Sequence, residues 1–136
     1  MQAKLFIDTN IFIYSVYEID LPKREACIKL LNKALKGEIK LWTTEWVIAE
    51  LVWFMLRNKT SWLDVKNFLI KGIFTSKGIE VRGKSWLLPV ISSCDKGESF
   101  VDAINNNIIN EENINLGYSY DKDLDKWRNF KRLEPK

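Results

Sequence analysis

The chain has 136 residues, 46% of them hydrophobic and 29% charged, which is the size and balance of one compact domain able to bury its own core. Lys and Arg outnumber Asp and Glu by 21 to 18, a net charge of +3 that permits binding to a polyanion without requiring it. Histidine is absent, which removes imidazole-based triads and zinc–histidine sites, and two cysteines are too few for a four-sulfur zinc site or a disulfide framework. Any polar catalysis falls to carboxylates, hydroxyls, Lys and Arg, with a hard divalent cation as the natural helper.

The N-terminus, Met1 to Asp8, has no basic segment leading into a long apolar one. No apolar run approaches the roughly 18 residues that span a bilayer. The longest, Val47 to Leu56, is broken by Glu50. A soluble cytoplasmic protein without membrane association is expected, with Cys27 and Cys94 as small core residues.

Leu5, Phe6 and Ile7 form a short apolar run that stops at Asp8-Thr9-Asn10, the pattern of a buried strand handing over to a helix capped by Thr9 or Asn10. Asp8 then stands at the strand's carboxyl end. Beyond Leu21-Pro22, residues Cys27, Leu30, Leu31, Ala34 and Leu35 recur at helical spacing, and Gly37 supplies the residue that ends such a helix. Ile39 to Trp42 reads as a second strand, and Thr43-Thr44 as the cap of a helix running to about Asn58 with Glu50 in its middle. Ser61 to Asp64 has capping-box spacing, with Val65, Phe68 and Leu69 as the apolar stripe and Gly72 as the stop. Ile79 to Val81 reads as a short extended piece, and Ser85 to Cys94 as a helix containing Pro89. Ser99 is expected to cap a helix whose inward face is Phe100, Ala103, Ile104 and Ile108, with Asp102 and Asn106 sharing another face. Ile114 to Tyr120 reads as a strand closing at Asp121, and Arg132-Leu133 as a last edge strand. The alternation predicts a three-layer α/β/α sandwich with a central, mostly parallel sheet. With no repeat and no linker in the sequence, residues 1–136 form one expected domain.

In a parallel sheet, ligands bind beyond the carboxyl ends of the strands, where Asp8 and Asp121 fall. Glu50 and Asp102 each interrupt apolar helical sequence, and a charge in such surroundings is costly unless it is paired or holds a metal. Taken singly, each acid is more simply a cap, an ion pair or part of a narrow polar stripe. Taken together, four such acids point to a site. Clustered carboxylates repel one another, so one at least should have a raised pKa that a cation relieves. Hard oxygen donors suit magnesium or manganese, which lower the pKa of a water they hold and stabilise charge on a phosphate under attack.

Phe6-Ile7-Asp8-Thr9-Asn10, Ala49-Glu50-Leu51, Phe100-Val101-Asp102-Ala103 and Ser119-Tyr120-Asp121-Lys122-Asp123 occur in the order found in PIN-domain nucleases, and the chain resembles that family over nearly its whole length. At this compact size it resembles the VapC-type ribonuclease toxins of bacterial and archaeal toxin–antitoxin pairs. The resemblance implies that Asp8, Glu50, Asp102 and Asp121 are the catalytic, metal-binding acids. It implies that Asn10 and Ser119 support them, and that RNA is cut to leave a 5′-phosphate and a 3′-hydroxyl. Asp123 and Asp125 follow closely enough to join or replace Asp121. Asn106 stands where relatives often carry a small or apolar residue, and the sequence gives it no role.

An acidic pocket needs neighbouring positive charge to hold RNA. Lys122, Lys126, Arg128, Lys131 and Arg132 follow Asp121, interleaved with Tyr118, Tyr120, Trp127 and Phe130, a composition suited to single strands; a solvated face over a core of aromatics would read the same. Arg82 and Lys84 form a second, smaller basic patch. Trp42, Trp46, Trp53 and Phe54 lie near the Glu50 helix and Trp62 just beyond it, more than one core stripe needs, so an interface is expected there, with a thick core as the alternative. By the resemblance, that interface serves a homodimer and a cognate antitoxin protein. The alternatives are a non-catalytic module of the same fold binding RNA or protein, a housekeeping RNA-processing nuclease, and a phosphoryl-transfer or receiver-like domain. The last lacks the paired aspartates such domains use.

Overall fold

A computed structural model describes residues 3–136, leaving aside the side chain of residue 98. It divides into two compact units, Met1–Ser93 and Cys94–Lys136. The fold is of the α/β class, with six α-helices and only parallel strand pairing among the described residues.

The first unit is built on a three-stranded sheet in the order β1-β2-β3, from Lys4–Phe6, Lys40–Thr43 and Ile79–Val81. Leu41 pairs with Ile79 and Thr43 with Val81, and these four side chains make one buried face of the sheet. The opposite face carries Phe6 against Trp42, and Lys4 in an ion pair with Glu80 at 2.9 Å. Parallel strands need crossovers, and helices supply them. Helices α1 (Thr9–Val16) and α2 (Leu21–Leu35) join β1 to β2. Next come α3 (Glu45–Arg57) and α4 (Trp62–Asn67), a π-helical stretch Phe68–Phe74, β3 and then α5 (Lys84–Ser93). The core is Phe12, Ala34, Ile48, Leu51, Met55, Leu69, Ile73, Leu87 and Ile91, all essentially without solvent contact, and Cys27 is buried as expected.

Local chemistry accounts for most boundaries. Asp20 caps α2 by accepting from the Lys23 amide, and Pro22 occupies its first turn, where a missing N–H costs nothing. At the far end Gly37 takes φ +77°, and the Glu38 amide closes on the Lys33 carbonyl, the Schellman arrangement that the glycine allows. Thr44 and Ser61 cap α3 and α4 through the amides of Val47 and Asp64.

Four expectations are corrected. The cap of α1 is Asp8 rather than Thr9 or Asn10: its Oδ1 accepts from the Thr9 amide at 2.8 Å, and Thr9 is already helical and buried. Gly72 does not stop its helix. It keeps a negative φ, and the wider π turns continue to Phe74, which places Ile73 and Phe74 in the core. Ser99 makes no capping bond, because a 3-10 turn, Gly97–Ser99, runs directly into the next helix. On that helix Phe100 is buried, but Ile108 is 42% exposed and not part of an inward face.

The second unit contains that helix, α6 (Phe100–Glu111), and two parallel strands, β4 (Leu116–Tyr118) and β5 (Lys131–Leu133), joined through a 3-10 turn at Lys122–Lys126. β4 is shorter than the strand expected from Ile114 to Tyr120. Asn113, at φ 58°, ends the turn after α6, and the Ile114 amide is still bonded back to the Ile109 carbonyl. Cys94 is buried, with its thiol donating to the Lys96 carbonyl.

Candidate functional site

In the first unit, β1 ends one residue before Asp8, whose exposed carboxylate faces the N-terminus of α1. The end of this strand is fixed from the side. The hydroxyl of fully buried Thr43 donates to the Ile7 carbonyl at 2.9 Å, and the Ile7 amide donates to the Trp42 carbonyl at 3.0 Å. Asn10 is exposed in the first turn of α1. Glu50 lies halfway along α3, on the face opposite the buried stripe Val47, Ile48, Leu51, Val52 and Met55. It is exposed, and its helical neighbours Trp46 and Trp53 are 78% and 58% exposed. The glutamate therefore interrupts the apolar run because that run serves two faces, one of them outward. Arg57 lies over the Trp53 ring at 4.4 Å, holding the outward indole in place. Arg82 pairs with Glu45 at 3.4 Å, which commits the leading member of the smaller basic patch.

In the second unit Asp102 is half-buried in the first turn of α6. It lines a cavity of about 450 Å³ together with Asp95, Ser99, Asn106, Asp123, Lys126 and Trp127. Its pKa is raised, first by burial and then by the carboxylates of Asp121 and Asp123. Asp121 caps the 3-10 turn: its Oδ1 accepts from the Asp123 amide at 2.9 Å. Ser119 acts one step earlier than expected. Its hydroxyl accepts from the Asp121 backbone amide at 3.0 Å, so it positions the peptide that carries the acid rather than the carboxylate itself.

The remaining candidates separate by their partners. Asp125 is committed to Arg132, with Nε to Oδ1 at 2.8 Å, whereas Asp123 lines the cavity with Asp102. Arg132 also reaches Glu134 at 3.1 Å and the Ser119 carbonyl at 2.8 Å, and the carboxylates of Asp125 first and Glu134 second hold its pKa above the ordinary guanidinium value. It ties the β4–β5 pair and is no longer a free cation for RNA. Lys122, Lys126, Arg128 and Lys131 are exposed, as are Tyr118 and Tyr120, while Trp127 packs against Phe130 at 5.2 Å. Asp95 was missed by sequence reasoning, since nothing marks an acid in the loop after α5. Asn106 was noticed only as an oddity.

Asp8 and Glu50 thus lie in the first unit, and Asp102 and Asp121 in the second. Among the described residues no three His, Cys, Asp or Glu side chains form by themselves a group that could hold an ion. The donors available are all hard oxygens, and the raised pKa of Asp102 beside two like charges is the electrostatic setting that a divalent cation relieves, so the donor chemistry fits magnesium or manganese. No helix among the described residues is long and apolar enough to cross a membrane.

The family model described as PIN domain matches residues 5–81, more than half of the chain. The matched stretch contains Asp8, Asn10 and Glu50; Asp102 and Asp121 lie beyond it. Among curated proteins, none matches the chain.

Proposed function

The chain belongs to the PIN domain family, whose members are generally nucleases using divalent metals, and from that premise we propose that it is an endoribonuclease cutting single-stranded RNA. Its biological setting in this reading is that of the toxin in a toxin–antitoxin pair. The observation that carries the proposal is the environment of Asp102: a half-buried carboxylate in a cavity, with its charge opposed by burial, Asp121 and Asp123, and with Lys126 lining the same cavity.

Asp8, Glu50, Asp102 and Asp121 are the residues that would hold magnesium or manganese. When bound, the ion supplies Lewis-acid stabilisation of the phosphate and acidifies water. The chain's own residues do the rest. Lys122, Lys126 and Arg128 offset the repulsion between the carboxylates and the RNA backbone. Ser119 and Thr43 fix the peptides that carry Asp121 and Asp8. Asn10, exposed in the first turn of α1, is a side-chain amide able to orient a carboxylate or a water. The outward Trp46 and Trp53 give α3 an apolar face suited to a second copy of the chain, and an antitoxin segment is the other partner of this reading.

The test is to incubate the protein and magnesium with single-stranded RNA and DNA of matched sequence and to determine the ends produced. RNA cut to 5′-phosphate and 3′-hydroxyl ends is the expected result. Ends bearing a 2′,3′-cyclic phosphate would mean attack by the ribose itself and would overturn the proposal.

A further inference from the structure

Helix α3 leaves four side chains exposed, Trp46, Glu50, Trp53 and Arg57, and buries or half-buries every other. Steps of four, three and four residues keep these four in one line along the helix. Whatever covers Trp46 and Trp53 therefore also covers Glu50 between them, and a carboxylate taken out of water in this way needs a partner of opposite charge. The stripe carries one in Arg57, whose guanidinium lies back over the Trp53 ring at 4.4 Å. Among the described residues neither Glu50 nor Arg57 belongs to an ion pair within the chain. The spacing reads the same from either end. A second copy of α3 laid antiparallel on the first, about a two-fold axis midway along the stripe, sets Trp46 against Arg57 and Glu50 against Trp53, over which the other copy's guanidinium lies. With one charge of each sign the stripe is then complementary to itself, whereas a parallel copy would set Glu50 on Glu50. An RNA backbone finds no net attraction in a stripe whose charges cancel and whose acid lies inside it.

We propose that α3 is the seam of an antiparallel homodimer in which Arg57 of each copy holds Glu50 of the other, and that this dimer and a divalent cation compete for Glu50. The competition rests on the reading of Glu50 as a metal-holding acid; the seam does not. A cation that binds Glu50 only where the seam is open shifts the equilibrium towards monomer, and by linkage the dimer weakens cation binding by the same factor. Association of the chain thus sets the availability of one acid of the site.

Sedimentation equilibrium of the full chain tests both parts, in sodium chloride and in magnesium chloride of equal ionic strength, beside the variants Glu50→Arg and Arg57→Glu and with RNA cleavage measured in parallel. The wild type should dimerise, with a dissociation constant raised about fivefold or more by magnesium, the low end of usual couplings between sites. Each variant alone sets like charges against one another across the seam and should be monomeric. An equimolar mixture of the two should dimerise again, because every charged contact then joins opposite signs, and that recovery itself shows both variants folded. A monomeric wild type, variants that dimerise alone, or a mixture that stays monomeric while both keep the wild-type circular dichroism overturns the seam. The magnesium comparison uses no variant: a dimer indifferent to magnesium overturns the competition even if RNA is cut normally. A dimer loosened by magnesium in a protein that cuts no RNA leaves the competition standing and overturns the nuclease reading instead.

Discussion

Asp102 joins the electrostatics of the second unit to the chemistry proposed for the chain. Its folded pKa lies above the unfolded value because burial and two neighbouring carboxylates oppose its charge. A raised carboxylate stabilises the fold while it is protonated, below its unfolded pKa, and that contribution is lost as pH rises through the folded value. Metal-free wild type should therefore lose stability relative to Asp102→Asn as pH climbs from about 3.9 through the raised pKa. Melting curves in chelator across that window check the sign, and a wild type that gains on the variant with rising pH contradicts it. The same substitution should cut RNA cleavage by about a hundredfold or more, within the range for loss of a catalytic acid or base. That an acid of this kind sits at position 102 was legible, because the sequence sets a charge among Phe100, Val101, Ala103 and Ile104. That Asp125 is spoken for was not, since its partner Arg132 is brought to it by the pairing of β4 with β5.

At the scale of elements, the ends of strands and helices position what the site needs. Replacing Thr43 by Val removes the buried hydroxyl that holds the Ile7 carbonyl, at a cost of about 1–2 kcal/mol in denaturant unfolding. Activity should fall with it, because Ile7 carries Asp8. Gly78 marks a closer approach still: a Cβ there would run into the backbone of Ala34 at the end of α2, while the Gly78 carbonyl accepts from the Leu41 amide. Gly78→Ala should cost about 1–3 kcal/mol or more by the same measurement, and a neutral result would contradict this packing. The elements of the first unit were readable because each carries its own punctuation: Asp20 and Pro22 before α2, Gly37 after it, Thr44 before α3, Ser61 before α4. The misreadings arose where punctuation is ambiguous. Gly72 resembles a stop only in isolation, and burial of Ile73 and Phe74 outweighs it. Ser99 resembles a cap, but its backbone is already turning.

At the scale of the whole molecule, the family model matches residues 5–81, within the first unit. Order along the chain made the four acids visible together, since Asp8 and Asp121 close expected strands and Glu50 and Asp102 interrupt apolar helical sequence. Cavity partners such as Asp95 and Asn106 depend on folding that no local pattern encodes. The outward indoles of α3 predict a homodimer at micromolar concentration by light scattering, and Trp46→Glu should shift it to monomer; a monomeric wild type would remove the dimer from the account. The most direct test of the central claim is cleavage of an end-labelled RNA pool by wild type and by Asp102→Asn, each with magnesium, with manganese and with chelator. The wild type should cut with either metal and not in chelator, and the variant should lose about a hundredfold or more. Equal cutting by both proteins, or cutting that persists in chelator, would contradict it.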